Sequence, residues 1–61
     1  MKTEVEFKVK GLATLYTFKR VSDIRKMVYH DTKVHHEGIV NCIESVFGKL
    51  DYLKIGRVRI I

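Results

Sequence analysis

Residues 3–10, TEVEFKVK, alternate strictly between uncharged and charged side chains. A strand repeats every two residues, so Thr3, Val5, Phe7 and Val9 share one face while Glu4, Glu6, Lys8 and Lys10 share the other. Wound into a helix, the same residues would scatter the apolar side chains around the circumference. The stretch reads as a half-buried strand with one wet face. Its backbone needs neighbouring strands, and its apolar face needs a cover.

The next segment supplies a neighbour. Gly11 offers a turn, and ATLYTFKR after it is rich in strand-forming residues. A hairpin is expected. This second strand is apolar on both faces: Ala13, Leu15 and Thr17 lie on one, Leu12, Tyr16 and Phe18 on the other. VSDIRKMVYHD is ambiguous. Val21, Ile24, Met27 and Val28 recur at helical spacing, and Ser22 suits an N-cap. A short helix is preferred over a strand across 24–30. GIVNCIESVFGKL is helical without ambiguity, because Ile39, Val40, Ile43, Val46, Phe47 and Leu50 form one stripe, with Gly48 as a terminator. YLKIGRVRII reads as a last strand whose apolar phase slips at Gly56. A β-bulge there would keep Leu53, Ile55, Val58 and Ile60 inward and send Lys54, Arg57 and Arg59 outward.

The expected fold is α+β. A small antiparallel sheet, made of the N-terminal hairpin plus the C-terminal strand, is covered on one face by one or two helices. A small all-β barrel is the alternative if 24–36 forms a hairpin instead. Residues 1–61 make a single small domain with a correspondingly small core. One cysteine and no proline leave the chain without an internal disulfide or stiffened loops. Self-association through sheet edges is therefore expected, as a homodimer. With 46% hydrophobic and 31% charged residues, disorder is excluded. The charged N-terminus is no signal peptide, and no segment is long and apolar enough to span a membrane. A lone thiol fits a reducing compartment, so the expected location is cytoplasmic.

YHDTKVHHEG gathers His30, His35 and His36 with Asp31 and Glu37, and Cys42 follows. The spacing fits no zinc motif, and HExxH is absent. A polar connection into the next helix is the preferred reading, with His35 and His36 at most an accessory anion site near the helix N-terminus. Cys42 sits at the edge of an apolar stripe and reads as a small buried hydrophobe. No nucleophile elbow and no glycine-rich phosphate loop appear, since the glycines stand apart at 11, 38, 48 and 56. No catalytic residue, metal site or cofactor is expected, and the chain does not read as an enzyme.

Charge is the functional signal. The net charge is +5 and the pI about 9.6. Residues 1–20 hold five cations against two acids, and residues 52–61 hold three cations and no acid, whereas the middle is nearly neutral. The leading expectation is a nucleic-acid-binding sheet face. Lys8, Lys10, Lys19, Arg20, Lys54, Arg57 and Arg59 would meet phosphate, and Tyr16 and Phe18 would stack on bases, single-stranded ones in particular. The alternative is a protein-interaction module, a small homodimer or an inhibitor, using LATLYTF and the terminal RII or engaging an acidic protein surface. The orientation of Tyr16 and Phe18 separates the two readings. Exposed rings among lysines favour nucleic acid, and rings buried between two copies favour the interface; in a third arrangement both rings are core, with Ala13 and Leu15 outside.

Overall fold

A computed structural model describes residues 4–34 and 38–61. The element order is β1 (Val5–Val9), β2 (Leu15–Phe18), α1 (Val21–Thr32), α2 (Ile39–Phe47), β3 (Leu50–Ile55) and β4 (Val58–Arg59). The four strands form one open antiparallel sheet in the order β2-β1-β3-β4. The fold is the expected α+β arrangement of a small sheet with two helices, and the barrel alternative is ruled out by the two unpaired edges, β2 and β4. None of the described helices is long and apolar enough to cross a membrane.

The alternation of β1 becomes the core. Val5, Phe7 and Val9 are buried beneath the helices, together with Leu50 and Leu53 of β3. Ile24 and Val28 of α1 and Cys42 and Ile43 of α2 complete this core. At roughly 1.5–3 kcal/mol for each fully buried large apolar side chain, it is the main stabilising term. The segment 21–32 is helical because it buries Ile24 and Val28 one turn apart. Its N-cap is Arg20, not Ser22: Arg20 has extended backbone and provides no side-chain cap, and Ser22 lies inside the first turn. Asp23 compensates in part, placing a negative charge at the positive end of the helix. Lys33 closes the helix in the left-handed conformation at φ 60°, and its N–H donates to the Tyr29 carbonyl at 2.7 Å.

α2 is shorter than its apolar stripe. It stops at Phe47, and Leu50 belongs to β3. The reversal is made by Gly48, whose φ of 104° and ψ of −173° suit only glycine. The Glu44 carboxylate fastens the corner by accepting the Leu50 N–H at 2.9 Å. Cys42, rather than Val46, completes the inward face of the helix.

The slip at Gly56 is not a bulge. Lys54 pairs with Arg59 and Ile55 with Val58, so Gly56 and Arg57 form a two-residue hairpin turn, and β4 doubles back on β3. A bulge and a two-residue turn shift the apolar phase identically, hence the misreading. Gly56 takes the positive φ of 60° that such a turn requires. Its N–H donates to the Glu4 carbonyl at 2.7 Å. The actual register shift lies at the other end of the sheet. Lys8 faces Tyr52 and Val9 faces Leu50, so Asp51 is the extra residue in β3. Val58 shares the helix-side face with Ile55, yet it is 64% exposed, because the helix layer does not reach β4.

Candidate functional site

Among the described residues, nothing covers the face of the sheet away from the helices. The strand registers order it into two rows. One runs Thr17, Glu6, Lys54, Arg59 across β2, β1, β3 and β4; the other runs Leu15, Lys8, Tyr52 across β2, β1 and β3. Three cations, one carboxylate and one aromatic ring therefore share a small area.

Tyr52 is the centre of this surface. The Arg59 guanidinium lies over its ring, 5.1 Å from the centroid. Its hydroxyl donates to Glu6 Oε2 at a long 3.3 Å. Glu6, Lys8, Leu15, Tyr52 and Arg59 together line a shallow depression of about 390 Å³. A second depression, about 360 Å³, lies along the β1–β2 edge between Glu4, Glu6, Thr17, Phe18 and Lys19; its two glutamates suit it less to an anion.

The expected stacking residues are elsewhere. Val5 pairs with Phe18 and Phe7 with Tyr16, so both rings fall on the helix-covered face. Tyr16 stacks on Phe7 with centroids 5.2 Å apart, and Phe18 stacks on Phe7 at 6.0 Å. Phe47 of α2 meets Phe7 and Tyr16, each at 5.1 Å. Tyr16, Phe18 and Phe47 are half-buried packing around the fully buried Phe7. The reason is pairing. Phe7 must face inward, and its cross-strand partner must follow it to the same side. Leu15 and Thr17 take the open face instead.

The expected cations separate into two groups. Lys8, Lys54 and Arg59 stand together around Tyr52. Lys10 lies just beyond β1, where its backbone N–H donates to the Lys49 carbonyl at 2.8 Å. Lys19 and Arg20 form the link into α1, and Arg20 is paired with Asp23 at 3.5 Å. Arg57 sits in the β3–β4 turn. These four surround the open face rather than compose it.

Tyr52 was legible as part of the site. In LDYLKI it alternates with Leu53 and Ile55 and shares a face with Lys54. The rings of β2 are the stronger aromatic signal because Tyr16 and Phe18 alternate within one short strand, whereas Tyr52 is a single ring.

His30 is exposed in the last turn of α1, while His35, His36 and Glu37 lie outside the described residues. Among the described residues, no group of three His, Cys, Asp or Glu side chains is arranged to hold a metal ion. Cys42 is 2% exposed. Burial pushes its thiol above the ordinary value, with the Arg25 charge working against that shift. A buried, protonated thiol is a poor nucleophile. No protein-family model, curated protein sequence or solved structure matches the chain.

Proposed function

We propose that this protein binds single-stranded nucleic acid across the open face of its sheet. The observation that carries the reading is one aromatic ring, Tyr52, set among Lys8, Lys54 and Arg59 on a surface the helices leave bare. Lysine and arginine hold phosphates, and the half-buried Tyr52 ring, once Arg59 moves off it, offers a face on which an unpaired base can stack. A duplex hides its base faces within the stack, so the ring favours a single strand. Lys10, Lys19, Arg20 and Arg57 add positive potential around the face and steer the strand towards it.

The test is titration of fluorescein-labelled hexauridylate, oligothymidylate and a duplex at several salt concentrations. Three phosphate contacts on a single strand give a slope of log affinity against log salt of roughly −2. The Lys54→Ala, Arg59→Ala double variant leaves one contact, with a slope of roughly −0.7. Absence of salt-dependent binding to any single strand at low salt refutes the proposal.

A protein interface, including a homodimer, is a second reading with its own support. Val58, Ile60 and Ile61 are exposed at the uncovered end of the sheet, beside the free edge of β4. Light scattering across a concentration series tests self-association. A monomeric mass throughout removes the homodimer.

A further inference from the structure

We infer that the depression beside Tyr52 selects guanine among the bases of a bound strand, through the carboxylate of Glu6. This inference rests on the single-strand reading above. Its starting point is an apparent contradiction. A face built for phosphates carries a carboxylate in its middle strand, next to Lys54 across the sheet and Lys8 along the strand. Glu6 repels the phosphate backbone that its neighbours attract. A ligand group that donates hydrogen bonds would offset that repulsion.

Glu6 is suited to receive one. Its Oε2 accepts only the long 3.3 Å bond from the Tyr52 hydroxyl, and its Oε1 accepts no hydrogen bond among the described residues. An ionised carboxylate is acceptor-only and can take two donors side by side. Among the four bases, guanine alone presents two adjacent donors, N1–H and the N2 amino group, on its Watson–Crick edge. Adenine and cytosine set a ring-nitrogen acceptor beside their single amino group. Uracil flanks its one N–H with two carbonyls. Each of these would place an acceptor against a carboxylate oxygen.

The remaining neighbours complete the fit. Lys8 lines the same depression and, at a guanine, can donate to O6, the acceptor beside N1–H, in place of the phosphate it holds elsewhere on a strand. The Tyr52 ring offers a stacking surface, from which the entering base displaces the Arg59 guanidinium. Off the ring, Arg59, whose Nε–H donates to the Ile61 carbonyl at 2.8 Å, still has its terminal nitrogens to meet a phosphate. Leu15 closes the far side with apolar surface.

The test uses hexauridylate and the same hexamer with one central guanosine, adenosine, cytidine or inosine, read by fluorescence anisotropy with the full chain. A good two-point contact to a base edge corresponds to roughly a 5- to 150-fold preference. The guanosine hexamer is expected to bind more tightly than hexauridylate by a factor in that range. Inosine lacks only the N2 amino group and is expected to lose most of the gain. Glu6→Gln, checked for folding by circular dichroism, removes a negative charge from the face and is expected to bind hexauridylate more tightly while losing the guanosine preference. Equal binding of all five hexamers with normal salt dependence overturns this inference and leaves single-strand binding intact. A guanosine preference that survives both inosine and Glu6→Gln also overturns it. Failure of every hexamer, and of oligothymidylate, to bind at low salt overturns both.

Discussion

The division of labour between the two aromatic sets is testable with one substitution made at two places. Tyr16→Val and Tyr52→Val both exchange a tyrosine in a strand for a β-branched residue, so strand preference is nearly preserved in each. Their consequences should differ. Tyr16 is half-buried and touches two rings, Phe7 at 5.2 Å and Phe47 at 5.1 Å. Each ring pair contributes about 0.5–1.5 kcal/mol beyond area burial, and the smaller side chain leaves a gap against the core. The expected loss is about 2–3 kcal/mol. Tyr52, also half-buried but outside the core, loses a cation–π contact at the surface and one long hydrogen bond, about 1 kcal/mol together. A chain of this length has only roughly 3–9 kcal/mol in all. For so small a domain each kcal/mol moves Tm by roughly 4–8 °C. Thermal melts by far-UV circular dichroism should therefore show Tyr16→Val lowered by roughly 10–20 °C and Tyr52→Val by less than about 8 °C. Binding should show the reverse. Measured where both variants are folded, Tyr52→Val loses about 1–3 kcal/mol of stacking, and Tyr16→Val binds as the parent does. A larger melting loss at Tyr52, or a larger binding loss at Tyr16, refutes the assignment of the two faces.

Other expectations concern the corner between α2 and β3 and the buried thiol. Gly48→Ala should cost about 1–3 kcal/mol, because the added Cβ meets Val9 only at 3.7 Å and the cost is backbone strain at φ 104°. Gly38→Ala, at φ −83° where the added Cβ would meet only the Asn41 side-chain nitrogen at an ordinary 3.8 Å, carries no such strain and should cost less than Gly48→Ala; equal urea midpoints for the two variants would remove the strain argument. Glu44→Ala leaves the Leu50 N–H without its charged acceptor and should cost about 1.5–3 kcal/mol in urea unfolding, whereas Glu44→Gln should recover part of that loss. The folded state holds the Cys42 proton more tightly than the unfolded chain does. That stabilisation is complete below the ordinary thiol value of 9.0 and is lost as pH rises from there through the raised folded value. Melting curves of the parent should therefore fall more steeply above about pH 9 than those of Cys42→Ala, and matching curves would contradict the burial of the thiol.

Much of the fold follows from local periodicity. TEVEFKVK could bury only Val5, Phe7 and Val9 together, and those three are in the core. Ile39, Val40, Ile43 and Phe47 recur at helical spacing, and α2 forms there. Ile24 and Val28 are similarly spaced, and α1 buries both. The reading weakened wherever two structures share one pattern. A bulge and a tight turn at Gly56 displace the apolar phase equally, so the short strand β4 went unrecognised. Leu50 fits the stripe of α2 by spacing, and only the glycine conformation at position 48 transfers it to β3.

The candidate site was legible in its charges and misread in its rings. Lys8, Lys54 and Arg59 were expected on one wet face, and they share it. Tyr16 and Phe18 were expected beside them, but β2 is apolar on both faces, and its own residues do not say which side is dry. Its amino acids determined that residues 15–18 would favour a strand, with Tyr16 and Phe18 always sharing a side. Only the tertiary structure decided which side that is. Pairing with β1 binds Tyr16 to the orientation of Phe7, and Phe7 is held inward by the helices packed against it. Periodicity acts within an element, whereas the direction of a two-faced strand is set by its neighbour.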